Sequence, residues 1–352
     1  MVRLLPIASG KGGVGKSVLA ANLGLALARS GRAVVLVDLD LGGSNLHTCL
    51  GVKNRHAGLG DLVWKKERCL ADLLVETGYE RLWLIPGDGL LPGTANLEWF
   101  AKKRILKELA ALPADFALLD LGAGSSYNVV DFFLSSTEGL VVLKPEITSV
   151  LNAYSFLKTA AFRILARSFP EGSPGRAAVT DFAAHKTEGS GVSFLDFARE
   201  LAERFPPEGA AALERLASLR PRAVMNQGRG GGDADLGYRL RDIAAKNLGL
   251  AVEFAGYLLE DESVPRSVAA RRPLLDLEPA SPFARGAQAI ASRIAASPPS
   301  GAPEGARAGL GAEGGDLAAL VDAAFGEVAA GSEAASGPDG AAAKDSLAED
   351  PA

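Results

Sequence analysis

The 352-residue sequence predicts an α/β chain in three layers, a mostly parallel central sheet with helices on both faces. Three observations carry that expectation. Short, continuous apolar runs such as Ala33-Val34-Val35-Leu36-Val37 and Leu140-Val141-Val142-Leu143 recur between Leu4 and Leu259, as suits strands buried on both faces. Segments with helical apolar spacing fill the intervals between them. Glycines and carboxylates cluster just after the strands, at the sheet edge where open α/β folds bind ligands.

The first strand, Leu4 to Ala8, leads into Ser9-Gly10-Lys11-Gly12-Gly13-Val14-Gly15-Lys16-Ser17, and a helix follows from Lys16 to Arg29. Gly10, Gly15, Lys16 and Ser17 satisfy the phosphate-loop pattern G-x-x-x-x-G-K-[ST] in the strand-loop-helix context it requires. Glycines let backbone N–H groups approach phosphate oxygens where a Cβ would collide. The helix start offers further unpaired N–H groups and a partial positive charge. Nucleotide binding is therefore expected along Gly10, Lys11, Gly12, Gly13, Val14, Gly15, Lys16, Ser17 and Val18, the Lys16 ammonium on the β- and γ-phosphates and the Ser17 hydroxyl on Mg²⁺.

The second strand ends in Asp38-Leu39-Asp40, whose carboxylates, two residues apart in extended backbone, can face one side. His47 stands alone and reads as structural. Leu59 to Leu74 suggests one or two short helices, Leu82 to Ile85 a strand, and Glu98 to Ala111 a helix stopped by Pro113. Phe116 to Leu119 is an apolar strand ending in Asp120, placed to accept from a water on Mg²⁺; Gly122 and Gly124 free the next loop to move with the γ-phosphate. After the strand at Leu140–Leu143 comes a helix from Ser149 to about Arg167, with Leu151, Tyr154, Leu157, Ala161, Ile164 and Leu165 on one stripe.

From Ser168 to Leu219 the sequence reads as a helical insertion of two helices, more simply packed on the core than reserved for docking. Strands at Arg222–Asn226 and Phe254–Leu259 and helices at Asp233–Leu248 and 282–296 complete a domain spanning 1–297. Residues 298–352 are rich in Ala, Gly, Pro and Ser and carry ten acidic against two basic side chains, which predicts a disordered acidic tail. Within it Leu317, Leu320, Val321, Ala324, Phe325 and Val328 fall at helical spacing over 316–329. The polar side there is acidic, which favours partner docking or self-association over anionic membrane. The rest of the chain is mildly basic, a weak nucleic-acid signal. Cys49 and Cys69 make no Cys-x-x-Cys pair, and residues 1–8 are too short for a secretory signal, so a cytosolic chain with reduced thiols is expected.

Several segments resemble the MinD/ParA family of deviant Walker A ATPases, and its FlhG/FleN-like branch in particular. They are the phosphate loop with its extra Lys11, Asp38-Leu39-Asp40-Leu41-Gly42-Gly43-Ser44-Asn45, Asp120-Leu121-Gly122-Ala123-Gly124, and Pro145-Glu146-Ile147-Thr148-Ser149 with Ala153-Tyr154. The resemblance implies the P-loop NTPase fold and slow ATP hydrolysis with Mg²⁺. It implies an ATP-sandwich homodimer in which Lys11 reaches the partner's nucleotide. It places Asp40 on the attacking water, Asp38 in the Mg²⁺ shell with Ser17 and Asp120, and Asn45 at a switch position. It also puts Asn226 on the adenine, with Glu260 and Asp261 closing over it. The implied role is a switch controlling position or number of a structure such as the flagellum, with a protein partner and action at membrane or pole. Alternatives are a DNA-segregation ATPase of ParA type, using a basic face at Arg266, Arg271 and Arg272, or a nucleotide-binding module with little turnover.

Overall fold

The computed structural model describes residues 2–53, 55–64, 69–87, 99–185 and 193–298. Its strands are β1 (Arg3–Ser9), β2 (Val34–Leu39), β3 (Val75–Glu76), β4 (Leu82–Ile85), β5 (Phe116–Ala123), β6 (Leu140–Leu143), β7 (Arg222–Gly228) and β8 (Glu253–Leu259). They form one sheet in the order β3-β4-β2-β5-β1-β6-β7-β8, and every pairing is parallel except that of β3 with β4. The helices before the middle of the chain are α1 (Lys16–Arg29), α2 (Leu46–Cys49), α3 (Leu59–Trp64), α4 (Trp99–Leu109), α5 (Tyr127–Phe133) and α6 (Ile147–Ser168). Those after it are α7 (Pro174–His185), α8 (Phe194–Arg204), α9 (Pro206–Ser218), α10 (Asp233–Leu248), α11 (Ser263–Ala269), α12 (Leu274–Leu277) and α13 (Pro282–Ala296).

Alternation along the strands divides the core in two. Leu5, Ile7, Val34 and Leu36 pack with α1, α2, α12 and α13 on one face of the sheet. Ala8, Val35, Val37 and Leu39 pack with α4, α5, α6, α8, α9 and α10 on the other. Because both faces are covered, the strands read as unbroken apolar runs, as expected of a parallel sheet. Arg3, at the start of β1, donates to the carbonyls of Ile294 and Ser297 and pairs with Glu138, pinning the end of α13 beside the N-terminal edge of the sheet.

Among the described residues, the segment from 168 to 219 contains one helix more than expected, α7. All three helices pack on the core. Phe162 of α6 meets Phe194 of α8 at 4.7 Å between ring centroids, and Phe182 of α7 stacks on Phe197. Leu151 departs from the stripe assigned to its helix. Val150, Ala153, Phe156, Leu157, Ala160 and Ala161 are buried there, whereas Leu151 is 55% exposed, one turn from Ile147 at 65%. The two-residue β3 and the seven-residue α5 are too short to leave a period in the sequence.

A buried ion cluster ties α4, α5 and α6 together. The Asp131 carboxylate, fully out of solvent, accepts from Lys102 at 2.5 Å, Arg163 at 2.7 Å and Arg167 at 2.8 Å. Burial alone would raise its pKa; the hydrogen bonds from Arg163 and Lys102 and the charge of Arg167 outweigh it and hold the carboxyl below the usual range. The acidic tail and its segment 316–329 lie outside the described residues. No helix among the described residues is long and apolar enough to cross a membrane.

Candidate nucleotide site

The central strand β1 lies between β5 and β6, and the chain leaves it toward β2 on one side while β6 continues to β7 on the other. Such a reversal opens a crevice at the C-terminal ends of the strands, and the glycine loop begins there. Gly13 and Gly15 hold φ values of 74° and 92°, left-handed conformations that side chains rarely adopt. Gly10 packs so closely on α6 that a Cβ would lie 2.1 Å from the Asn152 carbonyl oxygen. Gly10→Ala should therefore displace the loop from α6, costing roughly 1–3 kcal/mol of stability and weakening nucleotide uptake. Thermal melting and calorimetric titration check this, and a wild-type profile in both would show the close packing to be dispensable.

Helix α1 starts at Lys16 with no side-chain cap and no acidic residue in its first turn. Its leading N–H groups and dipole are thus left to an anion. The Lys16 ammonium is buried and donates to Ser9 Oγ at 3.0 Å, while Ser9 Oγ donates to the Lys11 carbonyl at 2.7 Å. Burial lowers the Lys16 pKa, and Asp120 and Asp40 pull it back up. Three of the expected groups therefore share one electrostatic neighbourhood.

The aspartates come from adjacent strands. Asp38 of β2 sits in register beside Asp120 of β5. The Asp38 carboxylate is buried and accepts from Ser44 Oγ at 2.6 Å and from the backbone N–H groups of Leu46 and Asp40, both at 3.1 Å. These bonds shape the turn after β2 around Asp38. Asp120 is the opposite case: it is 1% exposed, and among the described residues neither carboxylate oxygen has a partner in full hydrogen-bond geometry, although the Ser17 hydroxyl beside it favours its charged form. Burial pushes its pKa up, the Asp38 charge adds to this, and the nearby Ser17 hydroxyl and Lys16 offset only part. An orphaned buried carboxylate beside a hydroxyl is a costly arrangement, relieved by a hard cation. No ready-made cage of three or more His, Cys, Asp or Glu exists among the described residues. The Asp120 carboxylate and the Ser17 hydroxyl are a donor set that fits Mg²⁺, which keeps its waters and binds through one or two protein oxygens plus phosphate.

Asp40 is half-buried, and its Oδ1 would come within 3.3 Å of a Cβ on Gly122, so the turn after β2 meets the C-terminal end of β5 there. Lys11 pairs with Glu146, just before α6, at 2.7 Å. Asn45 donates to the Gly43 carbonyl. Asn226, at the end of β7, is directed at the loop: its amide donates to the Val14 carbonyl at 2.8 Å. Glu260 takes a two-pronged pair from Arg229, at 2.6 and 2.9 Å. Both oxygens of Asp261 are engaged by backbone, accepting from Ser263 and Phe283. Burial pushes the Cys49 thiol up to about 12, so it is an inert core group.

Sequence reasoning missed Ser9, Ser44 and the pairing role of Glu146. Ser9 and Ser44 flank the motifs, but a serine beside a loop is too common to carry a signal. Of the arginines considered for a basic face, Arg266 pairs with Glu278 at 3.2 Å and Arg272 with Asp276 at 2.8 Å. That face is therefore charge-compensated at these positions.

A glycine loop between the central strand and an uncapped helix, with aspartates on the adjacent strands, is the layout of a P-loop NTPase fold. The chain belongs to the CobQ/CobB/MinD/ParA nucleotide-binding family, whose profile matches residues 5–274. It is 31% identical over 185 residues to the antiactivator FleN of Pseudomonas aeruginosa, covering 50% of this chain and 65% of that protein. It is 32% identical over 154 residues to a putative septum site-determining protein MinD of Mesostigma viride, covering 43% and 53%. The chain thus spans about half to two-thirds of the length of these curated relatives. Among solved structures it resembles the MinD of Pyrococcus horikoshii complexed with Mg-ADP, with a TM-score of 0.55, 21% identity, and coverage of 84% of this chain and 96% of that one. That likeness establishes the shared P-loop NTPase fold.

Proposed function

We propose that the chain is a Mg²⁺-dependent ATPase in which bound ATP drives homodimerisation, a switch of the MinD/FlhG kind. The observation that carries the reading is the Asp120 carboxylate, buried beside the Ser17 hydroxyl and Lys16 at the uncapped start of α1, with no partner in full hydrogen-bond geometry among the described residues. The loop N–H groups and Lys16 would hold the β- and γ-phosphates, and Ser17, Asp120 and Asp38 would hold a Mg²⁺ ion, whose charge would offset that of the phosphate oxygens. Asp40 orients the attacking water and accepts its proton. The adenine lies toward the ends of β7 and β8, near Arg229 and Glu260.

Lys11 is the residue that links chemistry to assembly. In the monomer its ammonium rests on Glu146, an exposed contact easily exchanged for another anion. Transfer of Lys11 to the partner's nucleotide is the differential contact through which ATP favours the dimer. The exposed Ile147 and Leu151 beside that pair supply apolar surface for the same interface. Light scattering tests this. The Asp40→Ala form with MgATP should double in mass, and adding Lys11→Ala should return it to monomer. An unchanged mass with MgATP bound rejects the dimer.

The cellular role we propose for this switch is setting the position or number of a structure such as the flagellum, through a protein partner at membrane or pole; similarity to the antiactivator FleN and the septum site-determining MinD supports the family behind that reading. A pull-down with the ATP-trapped Asp40→Ala form tests the partner.

A further inference from the structure

We infer that Ser44 is a positioning residue for Asp40, its hydroxyl fastening the turn after β2 onto the Asp38 carboxylate so that the Asp40 side chain stands against Gly122. The inference rests on the ATPase reading above and names the residue that keeps its proposed water-orienting group in place. Ser44 is only 8% exposed, although Gly42 and Gly43 before it and Asn45 after it lie open to solvent. Its Oγ donates to Asp38 Oδ2 at 2.6 Å, the separation of a hydroxyl on a carboxylate. The same oxygen accepts from the Leu46 N–H, and Oδ1 accepts from the Asp40 N–H. One buried carboxylate therefore grips the turn at three points, and Ser44 supplies the middle one.

The other two grips are backbone bonds at the ends of the turn. Past the buried Leu41, the span between them has little else to lean on. A Cβ on Gly42 would meet nothing within 4 Å, and the nearest atom to one on Gly43 would be Asp40 Oδ1 at 3.7 Å. The Gly43 N–H donates to the Asp40 carbonyl at 3.1 Å, so a fastening at residue 44 also steadies the backbone that carries the Asp40 carboxylate. Gly87, just past β4, closes over the pair: a Cβ there would lie 3.1 Å from Ser44 Oγ. Sheltered in this way, a hydrogen bond to a charged acceptor counts for more than an exposed one. Alanine at position 44 would leave Asp38 Oδ2 with the Leu46 N–H alone and free the middle of the turn to drift from Gly122.

A double-variant cycle separates this task from general support. Steady-state turnover and calorimetric MgATP binding are measured for the wild type, Ser44→Ala, Asp40→Ala and the two combined. Ser44→Ala should lower kcat about tenfold, the scale of one hydrogen bond to a charged group, while MgATP affinity holds. In the Asp40→Ala background it should cost nothing more, because a residue acting through Asp40 then has nothing to position. Wild-type kcat in Ser44→Ala, a loss confined to MgATP binding, or an undiminished further loss in the Asp40→Ala background would overturn the inference. In nucleotide-free protein, the Asp40 and Leu46 amides should exchange hydrogen faster in Ser44→Ala, with those of β5 unchanged. Equal exchange in that turn would show that the hydroxyl does not hold it. Wild-type protein that binds MgATP without turning it over would instead reject the ATPase reading, and this inference with it. Should Ser44→Ala not fold, Ser44→Cys takes its place, since a thiol keeps the shape and donates only weakly. It should show the same split between kcat and binding, and wild-type turnover in it would overturn the assignment.

Discussion

Replacing Asp40 with alanine should lower ATP turnover by about 10²–10⁴, the usual scale for a general base, while MgATP still binds. The geometry favours a catalytic task over a structural one. The Asp40 backbone is held on both sides, its N–H donating to Asp38 and its carbonyl accepting from Gly43, but its carboxylate accepts no hydrogen bond from the described residues. That carboxylate lies against Gly122 and within electrostatic reach of Lys16 and Asp120. Removing it should leave the turn after β2 intact, because Asp38, Ser44 and Leu46 hold that turn without it. Phosphate release under single-turnover conditions, paired with calorimetric titration, separates chemistry from binding. Asn in place of Asp40 should behave like Ala, since the amide keeps the shape and loses the basicity. Undiminished turnover in either variant would take Asp40 out of the reaction.

Asp131→Asn should destabilise the fold by roughly 3–5 kcal/mol, the usual cost of removing one partner from a buried ion pair. The substitution preserves shape but leaves the nearly buried Lys102, with Arg163 and Arg167, facing no counter-charge. The folded-state pKa of Asp131 is depressed, so its contribution is complete above the unfolded value of about 3.9 and disappears as pH falls through the folded value. Urea unfolding at neutral pH should show the full difference between wild type and variant, and the gap should close in acid below about pH 4. Equal stability at neutral pH would mean that the three cations find water or other acceptors at no cost.

The two cases show what a sequence discloses. Asp40 was legible because it sits two residues from Asp38 at the end of an apolar run, where spacing and strand geometry place both carboxylates on one side. The phosphate loop and Asp120 were legible for the same reason, each being a short pattern attached to a strand. The Asp131 cluster was not, because Lys102, Asp131, Arg163 and Arg167 belong to three helices and meet only once these pack. The exposure of Leu151 was hidden by its helical spacing, which matches the buried stripe while the helix start stands clear of cover. The Asn226 contact joins residues 212 positions apart, and no local pattern announces the side to which an amide turns.

Arg3 fastens the last turn of α13 at the N-terminal ends of the strands, whereas the glycine loop opens at their C-terminal ends. β1 alone, at about 3.3 Å per residue over its seven residues, separates the two by roughly 20 Å. Position 298 is therefore a sound place to attach a fluorophore or an affinity handle: cargo leaving there starts from the far rim of the molecule, clear of the mouth through which a nucleotide must enter.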